Sequence, residues 1–89
     1  MKQYMVIETF RPGCKPKIYE RLRAEGRMMP PGLVYLNSWL EKDGDRCFQL
    51  METDDRALLD EWLSRWEDLV DFEVFPVITS AEAVTRVSK

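Results

Sequence analysis

The sequence predicts an α+β domain in which a four-stranded antiparallel sheet carries two helices on one face. Three observations lead there. Residues 33–41 and 46–53 are rich in β-forming side chains and flank Asp43-Gly44, among the strongest short hairpin signals. A helical segment and a further strand flank that hairpin on each side. The resulting order, β-α-β-β-α-β, is the split βαβ pattern of ferredoxin-like sandwiches. A length of 89 residues fits one such domain spanning 1–89.

The first strand is expected over residues 3–10, where Tyr4, Val6 and Phe10 alternate with Met5 and Ile7. Arg11-Pro12-Gly13 ends it. The first helix begins near Pro16, since proline suits a first turn. Ile18, Leu22 and Met29 are expected on its buried stripe, with Gly26 weakening it and Pro30-Pro31-Gly32 stopping it. A two-residue Asp43-Gly44 turn pairs Lys42 with Asp45, Trp39 with Phe48, Asn37 with Leu50 and Tyr35 with Glu52. Opposed residues share a face. One face then shows Tyr35, Asn37, Trp39, Phe48, Leu50 and Glu52, and the other Val34, Leu36, Ser38, Leu40, Cys47, Gln49 and Met51. A three-residue loop would exchange the sets. Thr53-Asp54-Asp55 supplies cap residues for the second helix, whose stripe is Leu58, Leu59, Trp62, Leu63, Trp66 and Leu69. Residues 70–79 form the last strand, an edge or a bent strand because Pro76 cannot donate to a ladder. Ser80 is the expected cap of a short tail helix reaching Arg86.

Both faces of this sheet are apolar, and two helices cover only one. The aliphatic set Val34, Leu36, Leu40 and Met51 suits the helices, which leaves Tyr35, Trp39, Phe48 and Leu50 open. Soluble monomers rarely expose contiguous apolar patches beyond a few hundred Å². Burying one such side chain contributes roughly 1.5–3 kcal/mol. A homodimer packed sheet face to sheet face, a barrel-like sandwich, is therefore expected.

Composition excludes several classes of function. Net charge is −3, which argues against nucleic acid as a partner. Charge is uneven: residues 1–28 carry a net +4 and residues 29–89 a net −7. No apolar run approaches the ~20 residues of a membrane span. Met1-Lys2-Gln3-Tyr4 enters a strand directly, unlike a signal peptide, so a cytoplasmic location is expected. The chain contains 0 histidines, which removes the usual general base, a histidine-ligated haem and most zinc chemistry; no metal or cofactor is expected. Cys14 and Cys47 do not make a disulfide scaffold. Cys14 lies beside Lys15 and Lys17, where a thiolate is favoured, and Cys47 reads as an inert buried thiol.

Two carboxylates are candidate catalytic groups. Glu8 and Glu52 fall on strands expected to be neighbours, and a carboxylate in a sheet pocket can act as a general base. The structural reading, pairing with an arginine such as Arg27 or Arg46 or a place at a wet barrel rim, is the commoner role of such isolated acids. Arg27 can hold a carboxylate or phosphate bidentately, or serve the end of the first helix. Ser38, Asn37 and Gln49 are polar groups in apolar strands, the composition of a small-molecule site and also of satisfied buried polars. Trp39, Trp62 and Trp66 offer flat surfaces to a ligand, although Trp62 and Trp66 lie four apart as core residues do.

The run Arg46-Cys47-Phe48-Gln49-Leu50-Met51-Glu52, with Ser38-Trp39 before it and Trp62 and Trp66 after, resembles a family of short bacterial proteins of unknown function. Met5-Val6-Ile7-Glu8, Gly26-Arg27-Met28-Met29-Pro30 and Asp68-Leu69-Val70-Asp71-Phe72-Glu73 with Pro76-Val77 extend the likeness over nearly the whole chain. The resemblance implies the dimeric α/β-barrel version of the ferredoxin-like fold and no established activity. Broader relatives of that fold include cofactor-independent monooxygenases, lactone isomerases, haem-degrading enzymes and ligand or regulatory modules, so fold alone leaves function open.

Two functions stand at this point. The first is a non-catalytic dimeric module that binds a small organic ligand or a protein partner, with Arg27, Ser38, Trp39 and Gln49 as candidate contacts. The alternative is a monooxygenase- or isomerase-like enzyme without a cofactor. Glu8 or Glu52 would abstract a proton there, while Arg27 or Gln49 holds the developing enolate. That alternative requires a cavity containing at least one of the two carboxylates together with a donor.

Overall fold

A computed structural model describes residues 1–87. The elements are β1 (Lys2–Phe10), α1 (Lys15–Glu25), β2 (Val34–Leu40), β3 (Arg46–Thr53), α2 (Arg56–Ser64), β4 (Val70–Val77) and α3 (Ser80–Val87). The strands form one antiparallel sheet in the order β2-β3-β1-β4. With α1 and α2 on one face, this is the ferredoxin-like α+β arrangement. Pro76 falls on β4, an edge strand, where its missing N–H leaves no ladder bond unmade.

Helix ends differ from expectation for local reasons. Gly26, at φ 66°, ends α1, and its N–H donates to the Leu22 carbonyl at 2.8 Å. Met29 thus lies beyond the helix, although it still packs against the core. Asp55 caps α2 by accepting the Ala57 N–H at 3.0 Å. The regular helix stops at Ser64, and Trp66 and Leu69 reach the core from turns that follow it. Thr79, rather than Ser80, caps α3: its Oγ1 accepts the Glu82 N–H at 3.1 Å.

The hairpin keeps its expected pairing through a different loop. Trp39 opposes Phe48 and Asn37 opposes Leu50. Asp43-Gly44 is not a tight two-residue turn, however. The loop spans 42–45, closed by the Glu41 N–H on the Arg46 carbonyl at 2.8 Å and the Gly44 N–H on the Glu41 carbonyl at 3.3 Å. One extra residue on each arm leaves the register unchanged. Asp45 then accepts the Phe10 N–H at 2.8 Å, tying the loop to β1.

A bulge between Tyr35 and Asn37 corrects the outer half of β2. Leu36 is the extra residue, so Tyr35 opposes Met51 and Val34 opposes Glu52. Tyr35, expected on the open face, packs on the helix side; Val34, expected under the helices, is on the open side and exposed.

The core lies between sheet and helices. Tyr4, Val6, Phe10 and Met51 meet Ile18, Leu59, Trp62 and Trp66 there, and Val6, Met51 and Leu59 are fully buried. The opposite face carries Met5, Ile7, Phe48 and Leu50, all half-buried, with Trp39 and Phe75 at 51% and 49% exposure. Among the described residues, no helix is long and apolar enough to cross a membrane.

Candidate functional site

A cavity of about 290 Å³ opens between the sheet and the two packed helices. Its floor is Glu8, Phe10, Cys47 and Gln49 from the central strands, with Ser38 and Leu40 toward the β2 edge. Ile18 and Leu22 of α1, and Trp62 and Trp66 from α2 and its following turn, form the apolar walls.

Strand parity decides which sequence candidates meet there. Glu8 opposes Cys47 across the β1–β3 ladder and Phe72 across β1–β4, which places it on the helix side. Glu52 opposes Gln3 and Val34 and so faces the other way. The two carboxylates lie on neighbouring strands but opposite faces of the sheet. Trp39 also stands on the open face, opposite Phe48. Glu8, Arg27, Ser38 and Gln49 line the cavity; Glu52 and Trp39 do not.

Glu8 is the electrostatic centre of the cavity. Burial pushes its pKa up from 4.5 to about 7, against the opposing pull of a Cys47 thiol hydrogen bond and the Arg27 charge. Cys47, also desolvated and beside the Glu8 carboxyl, is pushed up to about 12 and stays a thiol at neutral pH. Apart from that thiol, no donor of the described residues reaches Glu8. No buried side-chain oxygen or nitrogen among them lacks a partner, so the Glu8 oxygens open on the cavity.

Arg27 follows the left-handed Gly26 and precedes Met28, itself at φ 57°. This segment is bound to the second helix through main-chain acceptors. The indole N–H groups of Trp62 and Trp66 donate to the Arg27 carbonyl at 2.8 and 3.1 Å, and the Arg65 guanidinium donates to the Met28 carbonyl. The Arg27 guanidinium lies over the Tyr35 ring, 3.9 Å from its centre. Ser38 shares a 2.6 Å hydrogen bond with the Tyr35 hydroxyl, and Gln49 donates through Nε2 to the Met51 sulfur at 3.1 Å.

Tyr35 is the site residue that sequence reasoning missed. Alternation along β2 places it on the open face, and only the bulge at Leu36 turns it toward Arg27 and Ser38. Trp62 and Trp66, read from the sequence both as flat surfaces for a ligand and as core residues, are buried and line the cavity. Among the described residues, no cluster of three or more metal-ligating side chains occurs.

Residues 2–89 match a family model whose description is Domain of unknown function (DUF3303). The chain belongs to this family. No curated protein and no solved structure matches this DUF3303 domain. Its chemistry is therefore read from the cavity. The cavity of the DUF3303 domain is lined by a carboxyl group near the midpoint of its titration at neutral pH, a guanidinium and apolar rings.

Proposed function

We propose that this domain binds a small organic molecule in the cavity between its sheet and helices. The observation that carries the reading is the meeting of Glu8, Arg27, Ser38 and Gln49 on one cavity with apolar walls. Small-molecule sites are concave and mostly apolar, with a few convergent polar groups. Thermal shift against aromatic, lipid and organic-acid panels tests the proposal, with Leu40→Trp as control. Leu40 lines the cavity and is 45% exposed, so a larger side chain there narrows the cavity while leaving the core intact. Compounds that raise the Tm of the wild type but not of Leu40→Trp support the reading; an empty result across all three panels overturns it.

A second reading, a proton-transfer enzyme without a cofactor, is favoured by one specific observation. Glu8 has a pKa of about 7 and opens on the cavity, the condition for a general base at neutral pH. It would take a proton from the carbon next to a carbonyl, with Gln49 or Arg27 stabilising the oxyanion. Deuterium exchange into enolisable ketones, followed by NMR, checks it: exchange lost in Glu8→Gln supports catalysis, and equal exchange in both proteins rejects it.

The functional unit in this proposal is a homodimer joined through the open sheet face. Met5, Ile7, Phe48, Leu50, Trp39 and Phe75 form an apolar surface on one side of a single sheet. A second copy offers the same surface by twofold symmetry. Trp39 and Glu52 belong to that face and not to the cavity.

A further inference from the structure

We infer that the cavity selects a small organic acid with a single anionic group, its carboxylate held by Arg27 at the mouth and its uncharged body lying toward Glu8. The inference rests on the ligand-binding reading above and adds the chemical class of the ligand.

The state of Arg27 supports it first. Of the other arginines, Arg11, Arg21, Arg46, Arg56 and Arg65 each pair with a carboxylate, and Arg23 and Arg86 stand exposed and outside the cavity. Among the described residues, Arg27 has neither an ion pair nor a side-chain hydrogen bond, and it is the only cationic side chain lining the cavity. Its guanidinium is nevertheless placed: it lies on the Tyr35 ring, and its own carbonyl is fixed by two indoles. Stacking uses the flat face of a guanidinium and leaves the N–H groups along its edge available. That edge matches a carboxylate bidentately. Glu8 is close enough to feel the Arg27 charge but forms no ion pair with it, so the guanidinium is a placed cation whose N–H groups remain open to an anion from outside.

The rest of the cavity limits the ligand. A cavity of ~150 Å³ lined by apolar side chains holds benzene. At about 290 Å³, this one has room for a ring and a short chain, or for an aliphatic chain of similar size. Phe10, Ile18, Leu22, Trp62 and Trp66 offer such a body apolar contact.

The deep end excludes a second negative group. Glu8 has Cys47 of β3 and Phe72 of β4 as its ladder partners, and Phe10, Gln49, Trp62 and Trp66 line the cavity with it. Among the described residues, no further cation lines the cavity to neutralise a diacid or a phosphate dianion. A cationic ligand would instead meet the Arg27 charge at the mouth.

Isothermal titration calorimetry with matched acids and amides tests this. The probes are benzoate, phenylacetate, 3-phenylpropanoate and hexanoate, each beside its primary amide, and 3-phenylpropylamine as the cation. The expected result is that at least one acid binds about ten-fold or more tightly than its amide, as hydrogen bonds to a charged group allow. Arg27→Gln brings acid and amide to the same affinity, and Arg27→Lys, which keeps the charge and loses the fork, restores part of the preference. Far-UV circular dichroism establishes that both variants fold. Amides or the amine binding as tightly as the acids, or a preference that survives Arg27→Gln, overturns the anion inference and leaves the cavity reading standing. Failure of every acid, while a neutral compound from the thermal-shift panels binds, does the same. Failure of all probes and panels overturns both.

Discussion

Trp62 and Trp66 donate their indole N–H groups to one acceptor, the Arg27 carbonyl, at 2.8 and 3.1 Å. Sharing an acceptor makes the two residues energetically dependent. Replacing either by phenylalanine leaves the carbonyl with a partner, so each single change loses one hydrogen bond, about 1 kcal/mol beyond the effect of reduced packing. Replacing both leaves the carbonyl unpaired against the second helix, at a further ~1–3 kcal/mol. Urea denaturation of a double-mutant cycle is expected to show a double mutant less stable than the sum of the singles, after matched packing controls. Strict additivity would mean that the two bonds act independently.

Glu8 predicts a pH dependence of stability. Its pKa is 4.5 when unfolded and about 7 in the folded chain, so the folded state holds this proton more tightly. Below pH 4.5 both states are protonated and the contribution is fully present. As pH rises from 4.5 to about 7 it is lost, reaching about 3 kcal/mol at 1.36 kcal/mol per pKa unit. Glu8→Gln removes that slope and is expected to be the more stable protein at pH 8. Chemical denaturation of both proteins at intervals from pH 4 to pH 8 measures the difference, and parallel curves would refute the burial of this charge.

Gly32 stands at φ +95°, and a Cβ placed on it would lie 2.8 Å from the Leu58 Cδ1. Backbone strain and overpacking act together there. Gly32→Ala is expected to destabilise by about 1–3 kcal/mol. Combining it with Leu58→Ala relieves the contact but not the dihedral, so the double mutant should be more stable than the two separate losses would give. Thermal unfolding of the four proteins reads this directly.

The dimer proposal gives a mass prediction. The chain weighs 10.5 kDa, and sedimentation equilibrium at micromolar concentration is expected to return twice that. Phe75→Lys places a charge on the open face at the β4 edge, opposite Met5, and should give a folded single chain. A wild type that sediments as one chain would end the proposal.

The order of elements was legible because each level of the sequence points the same way. Alternation marks the strands, the Asp55 cap marks α2, and Asp43-Gly44 marks the reversal. The loop at 42–45 departs from a tight turn, yet the register survives because one residue is added to each arm. The bulge at Leu36 was not legible: an extra residue on one strand only has no local signature, and it reverses the faces of Val34 and Tyr35. The candidate site was legible residue by residue but not as a group. Glu8 and Glu52 look equivalent in sequence, and only the pairing of Glu8 with Cys47, and of Gln3 with Glu52, separates them. The placing of Arg27 depends on indoles from positions 35 and 39 residues away.

Position 27 divides its duties between main chain and side chain. The tryptophans grip a carbonyl that every amino acid possesses, while the guanidinium lines the cavity, stacked on the Tyr35 ring, with no hydrogen bond or ion pair among the described residues. Beyond that stacking, architecture asks little of the side chain that stands there. A descendant of this domain can exchange that one residue, and with it the guest it admits, without rebuilding the house.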